Sequence, residues 1–354
     1  MPVLPGGTAR AVAFVSVVLL FLTGYVSVTE LGDEVRARPN GEAMAQTAPA
    51  PVISSGVLSA SWKDDAAHED EPRSPLRLRF GDDLIRERVM AVSVMPGESV
   101  PVSIGNARSV EVTANAGEAV QGLGNQWLYH APDKPGTARL TVRDTERDAS
   151  LQLHIFVLKP WDHRGTSIEG YRIGRYQSEA RGGLETYERP RGFVRVTETN
   201  RDVRVSPNFR LAQFLCKQQG GTTEFALLDT KLIQALEDVL AAVREKGHDA
   251  ATLHVMSGFR TPFYNRAIGN TTIYSRHLYG DAADVFVDVD NDGRMDDLNR
   301  DGRVTEADAR YLADIIESAA GEDGTFIGGL GTYGPASHRG PFVHLDFRGY
   351  TARW

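Results

Sequence analysis

The chain has 354 residues, with 39 Lys+Arg against 47 Asp+Glu, one cysteine and 41 % hydrophobic residues. This length predicts two domains at roughly 100–200 residues each, and a net charge of −8 excludes the basic face that nucleic-acid binding requires. A single cysteine excludes an internal disulfide and a thiolate metal site; Cys216, in the apolar run Phe214-Leu215-Cys216, reads as a buried structural thiol.

Ala11 to Val28 is an uncharged, mostly apolar run behind Arg10. As a helix it spans about 27 Å, close to the ~30 Å hydrocarbon thickness of a bilayer. Thr29-Glu30-Leu31 offers no Ala-x-Ala-like cleavage site, which favours an uncleaved signal anchor over 1–29, with a cleaved signal peptide as the alternative. Positive charge before the span and acids after it predict an extracytoplasmic, periplasmic protein held at the inner membrane by residues 11–28. Residues 30–75, rich in Pro, Ala and Ser, read as a flexible linker.

From Leu76 to Lys159 short alternating segments such as Val92-Ser93-Val94, Val110-Glu111-Val112 and Leu151-Gln152-Leu153-His154-Ile155 are separated by turn residues. This period of two predicts a small all-β sandwich over 76–159. Its stretch from Trp127 to Gly136 resembles bacterial immunoglobulin-like domains, which implies a spacer or wall-contacting module.

Beyond it, Asp229 to Lys246 reads as an amphipathic helix with Leu232, Leu236, Val239, Leu240 and Val243 on one face, Asp229 as N-cap and Gly247 past its end. Strands are expected at Thr252–Met256, Ala283–Val287 and Phe342–Phe347, and a second helix at Ala309–Ala320. The order predicts an α+β catalytic domain over 160–354.

Within that domain His277, Asp284 and His344 form the set that points to chemistry. Two imidazoles and a carboxylate leave one position open on a zinc ion, the arrangement of catalytic rather than structural sites. Such a site serves metal-assisted hydrolysis.

The segments Ser257-Gly258-Phe259-Arg260-Thr261, Ser275-Arg276-His277 through Asp284, and Phe342-Val343-His344-Leu345-Asp346 resemble the D-Ala-D-Ala carboxypeptidase family of zinc peptidoglycan peptidases. The wider group includes vancomycin-resistance dipeptidases, phage endolysins and the hedgehog signalling domain. The resemblance covers roughly residues 200–354, including the lead-in from Val205 to Cys216. It implies a hedgehog-like α+β fold with an antiparallel sheet and flanking helices. It also implies His277, Asp284 and His344 as zinc ligands, Arg260 holding substrate carbonyl or developing oxyanion charge, and Ser275 contacting substrate. Where several relatives carry an acidic base three residues before the last histidine, this sequence has Pro341. His338, in the Gly-rich loop, and Asp346, on the strand face of His344, are the two candidates for that catalytic role.

The stretch from Asp288 to Asp308 holds eight acids and three arginines. Asp297, Asn299, Asp301 and Asp308 fall at positions 1, 3, 5 and 12 of an EF-hand-type calcium loop, with Gly302 at position 6 and the Arg303 carbonyl at position 7. An overlapping frame runs Asp288, Asp290, Asp292, Gly293, Arg294, Asp296 and ends at Asn299. Asp at position 12 resembles dockerin calcium loops. The expectation is at least one structural Ca²⁺ in an insertion beside the zinc site.

The sequence thus predicts zinc-dependent hydrolysis of peptidoglycan stem peptides or crosslinks, as a carboxypeptidase or an endopeptidase. The competing reading is a non-catalytic, calcium-dependent wall-binding module that retains zinc. Peptidoglycan is the expected partner, with the membrane a second one through residues 11–28.

Overall fold

Leu76, Leu78 and Phe80 are buried and alternate with exposed residues along β1 (Arg73–Phe80), the pattern of a strand with one face in a core. In this computed structural model the described residues are 73–219, 223–319 and 326–354, all within one compact unit. The expected membrane segment and nearly all of the linker lie outside them. Among the described residues no helix is long and apolar enough to cross a membrane.

After β1 come β2 (Asp83–Glu87), β3 (Val89–Val94), β4 (Ser99–Gly105), β5 (Val110–Ala114), β6 (Glu118–Gln121), β7 (Gln126–His130), β8 (Gly136–Asp144) and β9 (Ala149–Val157). They form a five-stranded sheet, β2-β1-β4-β7-β6, and a four-stranded sheet, β3-β9-β8-β5. Pairing is antiparallel except for β3 with β9, which run parallel from Val89↔Gln152 to Val94↔Val157. Inward Leu78, Ile85, Val102, Leu140, Leu153 and Ile155 fill the space.

This β region is joined to the remainder by polar contacts as well as by a continuous core. Ala91 donates its backbone N–H to Val205 O (2.8 Å), and Gln234 Nε2 donates to Leu84 O (2.6 Å).

Next are β10 (Lys159–Pro160), β11 (Ser167–Ile168), β12 (Tyr171–Arg172), β13 (Gly192–Val196) and β14 (Glu224–Ala226). Then follow α1 (Thr230–Glu245), β15 (Leu253–Ser257), α2 (Pro262–Ala267), β16 (Ala282–Val287), α3 (Glu306–Ala319), β17 (Gly329–Tyr333), β18 (Phe342–Asp346) and β19 (Ala352–Arg353). Asp229 caps α1 by accepting the Lys231 N–H (2.7 Å). Gly247 adopts φ +84°, the left-handed conformation that ends a helix. Both helices appear where the periodicity puts them, although α3 starts three residues before the expected Ala309.

The last five strands make one sheet in the order β15-β16-β18-β17-β19. Of its three inner strands, β16 and β18 are buried along their whole length. Alternation puts Val343 and Leu345 on one face, and Phe342, His344 and Asp346 on the other. Asp284 lies directly across from His344. A mixed, sheet-rich region with few helices fits the expected α+β peptidase domain.

Candidate metal centre

His277 sits in a short 3-10 helix, Arg276–Leu278, just before β16. Its Nδ1 lies 2.7 Å from the carbonyl oxygen of Gly258. A carbonyl only accepts, so Nδ1 carries the proton and Nε2 presents its lone pair, 3.2 Å from Asp284 Oδ1. Gly258 must be glycine, because a Cβ there would meet the Phe214 backbone at 2.7 Å. The loop is pinned from behind by a buried ion pair of Arg276 with Asp281. The Arg276 guanidinium lies between the rings of Tyr187 (4.1 Å) and Tyr279 (4.5 Å).

His344 reaches the same carboxylate from β18, with Nδ1 2.8 Å from Asp284 Oδ1. Its other nitrogen, Nε2, lies 2.9 Å from Asp346 Oδ2. The ligating atoms of His277, Asp284 and His344 all fall within 4.8 Å of one another, and the three residues are buried. Each histidine thus turns one nitrogen inward and has the other held by an acceptor, the construction of a ligand oriented by its outer partners. The donor set fits zinc in chemistry and in count.

Electrostatics follow from this geometry. Burial opposes charge on Asp284, yet His277 and His344 hold its carboxyl well below the usual range. Burial pushes His277 down. Burial also acts against a charged His344, but its hydrogen bonds to Asp284 and Asp346 outweigh it and raise the imidazole to about 9. In the metal-free protein His344 therefore carries a proton that a metal ion must displace.

Arg260 completes the group. Its Nη2 donates to Asp284 Oδ2 (2.5 Å), its Nε to Ser257 Oγ (2.8 Å), and its backbone N–H to His277 O (2.9 Å). The expected arginine is thus at the centre. Ser275 is buried immediately ahead of the 3-10 helix and makes no capping hydrogen bond with its side chain.

The two candidates for the base are placed differently. Asp346 does share the strand face of His344, but its oxygens are engaged: Oδ2 by His344 and Arg348 Nη2 (2.6 Å), Oδ1 by the N–H groups of Gly329 (3.2 Å) and Arg348 (3.0 Å). It sits on the far nitrogen of His344, which corrects the expectation that it reaches a water on the metal. His338 is exposed at the tip of the turn joining β17 and β18, outside the buried group.

Sequence reasoning missed three contributors: the Gly258 carbonyl, Ser257 and Trp354. Trp354 lies 5.5 Å from the His344 ring between centroids and donates its indole N–H to Tyr333 OH (2.7 Å). Gly331, directly across from His344, leaves the room in which that ring lies. A glycine inside a strand was the available signal.

The acidic segment forms two loops of one conformation, nine residues apart. Asp292 N–H donates to Asp288 Oδ1 (3.0 Å) and Asp290 Oδ1 (3.2 Å), Gly293 to Asp288 Oδ2 (3.0 Å), and Arg294 to Asp292 Oδ1 (2.8 Å). The same four bonds recur from Asp301 to Asp297 and Asn299, from Gly302 to Asp297, and from Arg303 to Asp301. Left-handed residues recur too: Asn291 (φ 58°) and Gly293 (φ 81°), then Arg300 (φ 62°) and Gly302 (φ 84°). The carboxylates of Asp288, Asp290 and Asp292 converge within 4.8 Å. Asp296 Oδ2 accepts the Val289 N–H (2.8 Å), and the fully buried Asp308 accepts from Leu298 (2.9 Å), Asn299 (3.2 Å) and Thr305 (2.7 Å).

With this geometry in view, residues 207–316 match the Peptidase M15 family. The match includes Arg260, His277 and Asp284 and stops short of His344. It supports the M15 zinc peptidases, and hence a metallopeptidase, for this chain. No curated protein matches the sequence. Among solved structures, a nucleoside hydrolase-related hypothetical protein from Saccharophagus degradans aligns at 14 % identity and TM-score 0.18, over 24 % of this chain and 26 % of its own. The titin M3 domain aligns at 18 % identity and TM-score 0.16, over 23 % of this chain and 97 % of that domain. This chain therefore covers about a quarter of the first of these proteins.

Proposed function

We propose that the protein is a zinc peptidase acting on peptidoglycan, cutting stem peptides or the crosslinks between them on the outer side of the cytoplasmic membrane. The observation that carries the hydrolytic reading is the convergence of His277 Nε2, Asp284 Oδ1 and His344 Nδ1, with the opposite nitrogens held by Gly258 O and Asp346. Zinc held there supplies Lewis acidity, polarising the scissile carbonyl and acidifying the attacking water.

The chain's own residues do the remainder. Arg260, with its planar and permanent charge, stands against Asp284 where negative charge develops on the substrate carbonyl. Asp346, neutralised by Arg348, keeps His344 in the tautomer that leaves Nδ1 for the metal. With Asp346 committed to that task, the proton-transfer role goes to His338, on the hairpin that also carries His344. Ser275, beside His277, is assigned to substrate contact.

The paired acidic loops support a structural Ca²⁺ held by Asp288, Asp290, Asp292, Arg294 O and Asp296, with Asp297, Asn299, Asp301, Arg303 O and Asp308 forming the second frame. Burial and then the neighbouring Asp290, Asp288 and Asp292 push the Asp296 carboxyl up, a crowding that a cation relieves. The first loop leaves β16 four residues after Asp284, so an ordered loop steadies the strand that bears the ligand. The immunoglobulin-like reading of the β region, as a wall-side spacer, belongs to the same proposal, as does membrane anchoring through residues 11–28.

Incubating the zinc-loaded protein with purified muropeptides and resolving the products by mass spectrometry tests this. The expected outcome is zinc-dependent cleavage, lost in His338→Ala while zinc content is kept. Intact muropeptides, with binding to the wall retained, would favour the non-catalytic module instead.

A further inference from the structure

Two residues outside the metal-binding group flank it on opposite sides of the sheet. On the β15 side stands Lys217, in the segment that follows the 3-10 turn Leu211–Phe214. That segment is tied to the Arg260 loop by two bonds: Phe259 N–H to Phe214 O (2.9 Å) and Thr261 Oγ1 to Gln218 Oε1 (2.8 Å). Lys217 is exposed and, among the described residues, has no hydrogen-bond or ion-pair partner. Its ammonium is within electrostatic reach of Arg260, Asp284 and His254, and partial desolvation together with Arg260 holds it below its ordinary value. Asp346 is matched by Arg348, so Asp284 and the Asp288 carboxylate that faces His254 stand against Lys217, Arg260 and a divalent cation bound there, which together still outweigh them. The surplus at this end is positive, and long-range attraction favours an anion there.

On the β19 side stands Trp354. Its ring lies over Gly331 and beside His344, anchored through Tyr333 OH, with the Arg348 guanidinium over it at 4.7 Å. It is 47 % exposed. A tryptophan fixed at this exposure presents rigid apolar area at low entropic cost.

We infer that the substrate-facing surface at the metal group is chemically polarised across the sheet: Lys217, seconded by Arg260, receives a carboxylate of the substrate on the β15 side, and Trp354 packs against its uncharged portion on the β19 side. This deepens the peptidase reading and rests on it for the identity of the substrate. The carboxylate has two sources in a stem peptide, the free C-terminus and the side chain of an acidic or diamino-acid residue.

Calorimetric titration of the zinc-loaded full chain separates them with two peptide pairs. One pair is a stem pentapeptide with a free terminal carboxylate and its terminal amide. The other is a stem peptide with its side-chain carboxylate free or amidated. The acid of one pair is expected to bind about tenfold more tightly than its amide. Lys217→Gln is expected to abolish most of that preference, and Lys217→Arg to keep it. Trp354→Ala should weaken acid and amide alike, with zinc content unchanged in every variant. Preference in the first pair assigns a carboxypeptidase, and in the second an endopeptidase.

Equal affinity of acid and amide in both pairs, or a full preference surviving in Lys217→Gln, would overturn the inference, as would no binding by any of the four. A protein that cleaves muropeptides without an acid preference breaks this inference alone. One that selects the acid yet cleaves nothing breaks the peptidase reading and leaves the polarised surface standing.

Discussion

The buried His277–Asp284–His344 group and the partly exposed loops of Asp288 to Asp308 are both donor sets, built in opposite ways. The first takes its side chains from two inner strands and a pinned turn, and fixes each imidazole through its far nitrogen. The second takes its carboxylates from one continuous stretch and satisfies them with its own backbone N–H groups. Packed strands prepare a site whose geometry precedes the ion. Self-bonded loops hold their shape through their own backbone. Removing a partner should therefore damage the first site through affinity and reactivity, and the second mainly through stability.

The largest effect is expected from His277→Ala. Loss of one of three ligands should remove stoichiometric zinc and lower hydrolysis about a thousandfold or more, since the Lewis acid supplies several kcal/mol of transition-state stabilisation. Metal analysis of the purified variant checks this, and retained zinc would reassign the ligand. Next comes Asp346→Asn, which keeps the shape but weakens the carboxylate behind His344. Zinc affinity should fall about 10–100-fold, read by competition with a chelator.

The pH dependence of zinc binding is smaller per unit but diagnostic. His277 is pushed down and is already neutral near pH 7, whereas His344 holds its proton up to about 9. A metal entering below that value releases one proton. Affinity should therefore rise about tenfold per pH unit between pH 6.5 and 9, then level off. Affinity unchanged across this range would contradict the pairing of His344 with both carboxylates.

The smallest effect belongs to the loops. If Ca²⁺ binds the folded state, a concentration a hundredfold above Kd adds about 2.7 kcal/mol of stability. Thermal melts with and without Ca²⁺, at constant zinc, should show a raised midpoint that Asp290→Asn reduces without changing zinc content.

The convergence of His277, Asp284 and His344 was legible from residue type and spacing together with the resemblance carried by the segments around them: His277 and Asp284 bracket a loop-to-strand turn, and His344 lies on a strand alternating with Val343 and Leu345. The role of Asp346 was not legible. Period two says that it shares a face with His344, but the identity of the inward nitrogen decides whether it meets the metal or the imidazole behind it. The position of His338 depends on how a Gly/Pro-rich turn folds, which chain distance does not specify. Strand β17 was missed because its sequence, Gly329-Leu330-Gly331-Thr332-Tyr333, lacks the β-branched run of a strand. Its glycines are there for close approach: a Cβ at Gly329 would meet Asp346 and Arg348, and one at Gly331 would meet Trp354. The strands of the β region were readable for the opposite reason, since an apolar core filled from both sheets imposes plain alternation.

X-ray absorption at the zinc edge, on protein loaded with one equivalent, tests the central claim most directly. The account predicts one zinc per chain with two imidazole nitrogens and one carboxylate oxygen among its ligands, and an imidazole signal that loses one ring in His344→Ala. Failure to hold stoichiometric zinc, or an unchanged two-imidazole signal in that variant, would contradict it.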